Sequence, residues 1–137
     1  MKALAKTADR LSSALEFQTP DGAVRWRIRA GVPERSADAG VTWIALPTAS
    51  DATLVAGAAP DSTTCWLVGK GGVVLRRIGD GPWTRVSFPE DVDLASVRAS
   101  DARHASVTTS DGRVFETADA GETWVRRDLQ GNSTRAF

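Results

Sequence analysis

The chain has no tyrosine and only one cysteine, one histidine and one methionine. Each scarcity removes a class of chemistry. Cys65 has no partner for an internal disulfide, and with His104 as the lone imidazole a structural zinc site of the Cys/His kind is excluded. His104 precedes Ala105 in an expected turn and reads as an exposed loop side chain rather than a general base. Cys65 adjoins Trp66 in an expected interior strand, so it reads as a small buried hydrophobe rather than a reactive thiolate. Long apolar runs are also missing. Lys6, Asp9 and Arg10 interrupt the start, where a signal peptide needs a continuous apolar stretch, and no later run approaches the roughly eighteen apolar residues of a membrane span. The chain is expected to be soluble as it stands, with its native compartment left open. No excess of one charge exists, since 17 Lys plus Arg balance 17 Asp plus Glu. Nucleic acid and membrane surfaces are therefore disfavoured as partners, and nothing calls for a cofactor or metal.

What is present is periodic. Trp26 and Trp66 are 40 residues apart, Trp43 and Trp83 are 40 apart, and Trp124 follows Trp83 by 41. Asp21, Asp61 and Asp101 keep the same step, as do Leu54 and Leu94. A period of this size is the signature of a repeat architecture. The units run over 11–50, 51–90 and 91–131, after an extension at 1–10 and before a loose tail at 132–137. Each holds four short runs separated by turn signals. In the second copy these are Thr53–Ala59, Thr64–Gly69, Val73–Ile78 and Trp83–Phe88; in the third, Leu94–Ala99, Ala105–Thr109, Arg113–Thr117 and Thr123–Arg127. In the first copy Ser13–Thr19 is the outlying strand and Gly22–Ala30 the next, although the Ala and Leu content of 2–15 also allows a helix. Gly69 to Gly72 lacks the spacing of a phosphate-binding loop and reads as a hairpin turn. The expected fold is all-β: three four-stranded antiparallel meanders of the length and pattern of β-propeller blades.

Ser36, Asp38, Gly40, Thr42 and Trp43 form the pattern S/T-x-D-x-G-x-T-W, and Thr117, Asp119, Gly121, Thr123 and Trp124 repeat it. The middle copy keeps only Asp80, Gly81 and Trp83. These segments resemble the Asp-box of bacterial neuraminidase-type repeats and of the photosystem II assembly or stability factor group, both of which are propellers. The residue types suit a structural hairpin. The aspartate accepts backbone N–H bonds, the glycine takes positive φ, and the tryptophan packs the turn onto its blade. One carboxylate per turn is too few for a calcium site. Residues 20–127 also resemble the C-terminal segment of certain bacterial proteins that carry a zinc-finger or anti-sigma-like region and a membrane segment. That resemblance implies a piece of a longer regulatory protein whose parent is membrane-anchored.

Among Asp-box propellers, resemblance to the sialidases would imply a tyrosine nucleophile, which a chain without tyrosine cannot supply. Glu16, Glu34, Glu90, Glu116 and Glu122 are scattered and nominate no paired-carboxylate mechanism. A non-enzymatic protein-interaction or scaffold module is therefore expected. A carbohydrate-binding or glycosidase-like propeller and a fragment without independent function stand as alternatives. The candidate binding residues are Arg25, Arg27 and Arg29, which alternate with Trp26 and Ile28 and so share one strand face, together with Arg76 and Arg77. They would suit a protein or an anionic ligand, although an arginine-rich composition also follows from genomic base content. Three blades do not close a ring, so self-association through the terminal blades is expected, two copies completing a six-bladed homodimer.

Overall fold

A computed structural model describes residues 15–48 and 50–127. The expected extension at 1–10 and tail at 132–137 lie outside the described residues, as does all of the alternative helix except Leu15, which is already in a strand. The described chain is three antiparallel sheets of four strands, each a meander in sequence order. The first is β1 (Leu15–Gln18), β2 (Arg25–Arg29), β3 (Val32–Ser36) and β4 (Ile44–Ala45). The second is β5 (Leu54–Asp61), β6 (Thr64–Gly69), β7 (Val74–Ile78) and β8 (Thr84–Val86). The third is β9 (Leu94–Ala99), β10 (Ala105–Thr109), β11 (Val114–Thr117) and β12 (Val125–Arg126). A 3-10 turn at Lys70–Gly72 joins β6 to β7. Among the described residues no helix is long and apolar enough to cross a membrane.

The sheets stack face to face with β1, β5 and β9 packed side by side at the inner edge. Ser13–Thr19, expected to be outlying, therefore contains the innermost strand of its sheet. Phe17 draws it in by lying against Gly57 of β5, where an added Cβ would stand 2.2 Å from the phenyl ring. The two-residue strands β4 and β12 mark the outer edge.

The period-2 alternation of β6 explains why the middle sheet holds the stack together. Cys65 and Leu67 face the first sheet and join Trp26, Ile28, Leu54 and Leu75 in one apolar cluster. Trp66 and Val68 face the third sheet and join Val74, Leu94, Ala105 and Val107 in a second. These four β6 side chains are 1% exposed or less. Each fully buried Leu or Val contributes about 1.5–3 kcal/mol, so a sheet buried on both faces is the main source of cohesion. Burial also pushes the Cys65 thiol well above its ordinary pKa, which keeps it protonated.

Polar staples tie the sheets together at their outer ends. Arg35 donates from Nη2 to the Ser62 carbonyl at 2.9 Å, and Arg76 donates from Nη1 to the Ala102 carbonyl at 2.6 Å, each reaching the next sheet. In the opposite direction, Trp83 Nε1 donates to the Leu46 carbonyl at 2.8 Å and Trp124 Nε1 to the Ser87 carbonyl at 2.6 Å. Both pairs repeat with the period of the chain.

Candidate binding surface

The two complete S/T-x-D-x-G-x-T-W hairpins are built identically. Ser36 Oγ donates to Asp38 Oδ1 at 2.7 Å, and the Gly40 and Thr42 amides donate to Ser36 Oγ and Asp38 Oδ1 at 2.8 and 2.9 Å. Thr117, Asp119, Gly121 and Thr123 repeat these bonds at 2.8, 2.8 and 2.9 Å. The Thr42 hydroxyl holds the Asp38 carboxyl down to a pKa of about 2, helped by the Thr42 amide and Ser36. The Thr123 hydroxyl does the same for Asp119, also at about 2. Each carboxylate thus accepts three hydrogen bonds inside its own turn. The middle hairpin is shorter, and its only counterpart is a Gly81 amide donating to the Ile78 carbonyl at 3.0 Å.

The five candidate arginines do not form one site. Arg25, Arg27 and Arg29 share the face of β2 that looks away from the second sheet, because Trp26 and Ile28 between them face inward. Arg27 pairs with Glu34, its register partner on β3, at 2.5 Å, and its guanidinium lies 4.1 Å from the ring centre of Trp43. Such a stacked, ion-paired guanidinium is held in a fixed plane. Arg25 has its Nε buried without a hydrogen-bond partner, and its Nη1 lies near Gly40, 3.4 Å from where a Cβ would sit. Arg29 is exposed beside the tight Ala30–Gly31 turn. Trp43 has no preceding sheet among the described residues to reach back to. Its Nε1 instead donates to its own Gly40 carbonyl at 3.1 Å. Val41 and Ile44, flanking it in sequence, are 78% and 62% exposed. The result is an arginine row beside an aromatic ring, while Ile44 belongs to the other face of the sheet, as the partner of Arg35.

Arg76 belongs elsewhere. Its guanidinium is the staple to Ala102 and lies 5.7 Å from the Trp66 ring centre, between the second and third sheets. Arg77 lines a shallow groove with Leu46, Pro47 and Trp83, between the first and second sheets. The sequence gives these residues the same letter as Arg25 and Arg27, and only strand register separates them.

Sequence reasoning did not single out a second surface, on the third sheet. Its outward face carries a depression of about 510 Å³ lined by Arg98, His104, Ser106, Glu116, Val125 and Arg127. Arg127 pairs with Glu116 at 2.8 Å. His104 Nδ1 sits 2.9 Å from Asp101 Oδ1, and this contact is the largest cause holding the Asp101 carboxyl at about 2. The signal was available in β10, where Ser106 and Thr108 occupy the positions of Trp66 and Val68. Among the described residues no three His, Cys, Asp or Glu side chains converge as a metal cluster.

No protein-family model and no curated protein matches the chain. Solved structures do. The chain superposes on YCF48 bound to a D1 peptide with a TM-score of 0.68 at 18% identity, covering 81% of this chain and 41% of that one. It also superposes on YCF48 from Cyanidioschyzon merolae with a TM-score of 0.67 at 22% identity, covering 86% of this chain and 39% of that one. The chain thus has the blade fold of these YCF48 propellers and spans about two-fifths of their length.

Proposed function

We propose that the chain is a non-enzymatic protein-interaction module made of three Asp-box blades, over 11–50, 51–90 and 91–131, and that the outward face of the first blade is its contact surface. The observation that carries this reading is the arginine row on β2, with Arg27 oriented by Glu34 and Trp43. A guanidinium in a fixed plane suits bidentate contact with a carboxylate, and the Trp43 ring beside it adds apolar area. A carboxylate-rich peptide segment fits that combination. The peptide complex of YCF48 supports the reading, because it is a propeller of this blade fold holding a peptide. Absence of tyrosine and the internal bonding of Asp38 and Asp119 argue against a sialidase-like centre.

The test is fluorescence anisotropy with a labelled acidic peptide that alternates Glu with Leu. Binding should weaken with added salt and fall by about tenfold or more for Arg25→Glu and Arg29→Glu, the size expected when a charged contact is lost. Titrations that overlay for the native chain and both variants would remove the arginine face from consideration.

A further inference from the structure

The registers align the three blades residue by residue. Arg27, Leu67 and Val107 are equivalent, paired with Glu34, Leu75 and Phe115 respectively. Arg25, Cys65 and Ala105 occupy the next equivalent position on the same face. In the second and third blades this face looks back at the preceding blade and is apolar and buried. In the first blade the same positions hold two arginines and a glutamate. The opposite face shows the converse. Trp26 and Trp66, with Ile28 and Val68, look forward into the next blade and are buried. Their equivalents in the third blade are Ser106 and Thr108. Arg35 and Arg76 staple forward, but the equivalent position in the third blade is Glu116, which turns to Arg127 instead.

The polar substitutions thus fall on the two end faces, and each face is changed at the positions that form the apolar junctions elsewhere. We infer that these two faces act as polar caps of the three described blades, which form an open stack with no second copy of the chain packed on either end. This inference uses face chemistry alone and stands independently of the peptide reading. Terminal repeats with a polar outer face are how a repeat stack remains soluble without closing. Closure into a six-bladed homodimer would press Arg25, Arg27 and Glu34 of one copy against Ser106, Thr108 and Glu116 of the other. That would desolvate the Arg27–Glu34 and Arg127–Glu116 ion pairs, with Trp43 and Val125 as the large apolar groups set against that cost.

Light scattering on the native chain should give 14.6 kDa throughout a wide dilution series; a concentration-stable mass of twice that value overturns the inference. Grafting the interior residues onto both ends, as Arg25→Ala, Arg27→Val, Glu34→Phe, Ser106→Trp and Thr108→Val, should convert the monomer into a dimer or larger assembly. A folded graft that stays monomeric over the same range would show that these residues are not what keeps the ends apart. Should the graft fail to fold, Ser106→Cys in the otherwise native chain answers the question. Its thiol should react with a maleimide about 100-fold or more faster than buried Cys65, as access governs thiol modification, and equal protection of the two would sink the open stack.

Discussion

Gly40 and Gly121 occupy the same place in the two complete hairpins, with φ of +90° and +89°, yet alanine should affect them very differently. A side chain in the left-handed region costs about 1–2 kcal/mol at either position. At Gly40 the atoms nearest the new Cβ would be Arg25 Nη1 at 3.4 Å and Trp43 Cζ2 at 3.7 Å. At Gly121 it would stand 2.0 Å from Val86 Cγ1. Val86 ends β8 inside the second apolar cluster and is 6% exposed, so it has little room to withdraw. Overpacking of that kind adds about 1–3 kcal/mol. Gly40→Ala should therefore lose about 1–2 kcal/mol and Gly121→Ala about 2–5 kcal/mol. With a urea slope of about 1–3 kcal/mol per molar, the second midpoint should fall roughly 1 M below the first. Adding Val86→Ala to Gly121→Ala should recover part of the loss, so that the double variant is more stable than the sum of the singles. Coincident midpoints for Gly40→Ala and Gly121→Ala would refute the claim that the third hairpin leans on the second blade while the first hairpin is open on that side.

Two further predictions follow from the bonds between and within blades. Arg76→Met should cost about 1.5–3 kcal/mol, since it removes a charged donor from the Ala102 carbonyl, whereas the control Arg85→Met, at an exposed position, should stay within about 0.5 kcal/mol; equal losses in urea titrations would deny the staple its role. Asp38 and Asp119 have folded pKa values of about 2, below an unfolded value of about 3.9. Their stabilisation is thus complete above about pH 4 and lost as pH falls towards 2. The Asp38→Asn/Asp119→Asn variant should be less stable at pH 7 yet lose less between pH 5 and pH 2 than the native chain. Parallel pH curves would contradict this.

The blade pattern was legible because it is written in large residues at fixed spacing. Trp26 and Trp66 fill equivalent pockets, and the expected ends of β6, β9 and β10 match those observed. The outer strands were read too long. Trp83 and Thr123 were expected to be in strands, but the hairpin tryptophans leave the ladder so that their indole N–H groups reach Leu46 and Ser87. The candidate surface was only half legible. Period 2 places Arg25, Arg27 and Arg29 on one face without any structure. Nothing local distinguishes them from Arg76, which is equivalent to Arg35 because the turn between β6 and β7 is one residue longer than that between β2 and β3, and which therefore points into a junction.

The candidate surface arises where no preceding blade stands among the described residues, rather than from a special motif. Trp43, Trp83 and Trp124 end the same kind of hairpin, and two of them are spent on the blade before. Trp43 has no such blade among the described residues, so it turns onto its own hairpin and its ring receives Arg27. The positions that would have been buried beneath a preceding blade are then free to carry Arg25, Arg27 and Glu34. On the proposed reading, cohesion and recognition use the same repeat positions, and whether a given position serves one or the other depends on whether a blade stands in front of it.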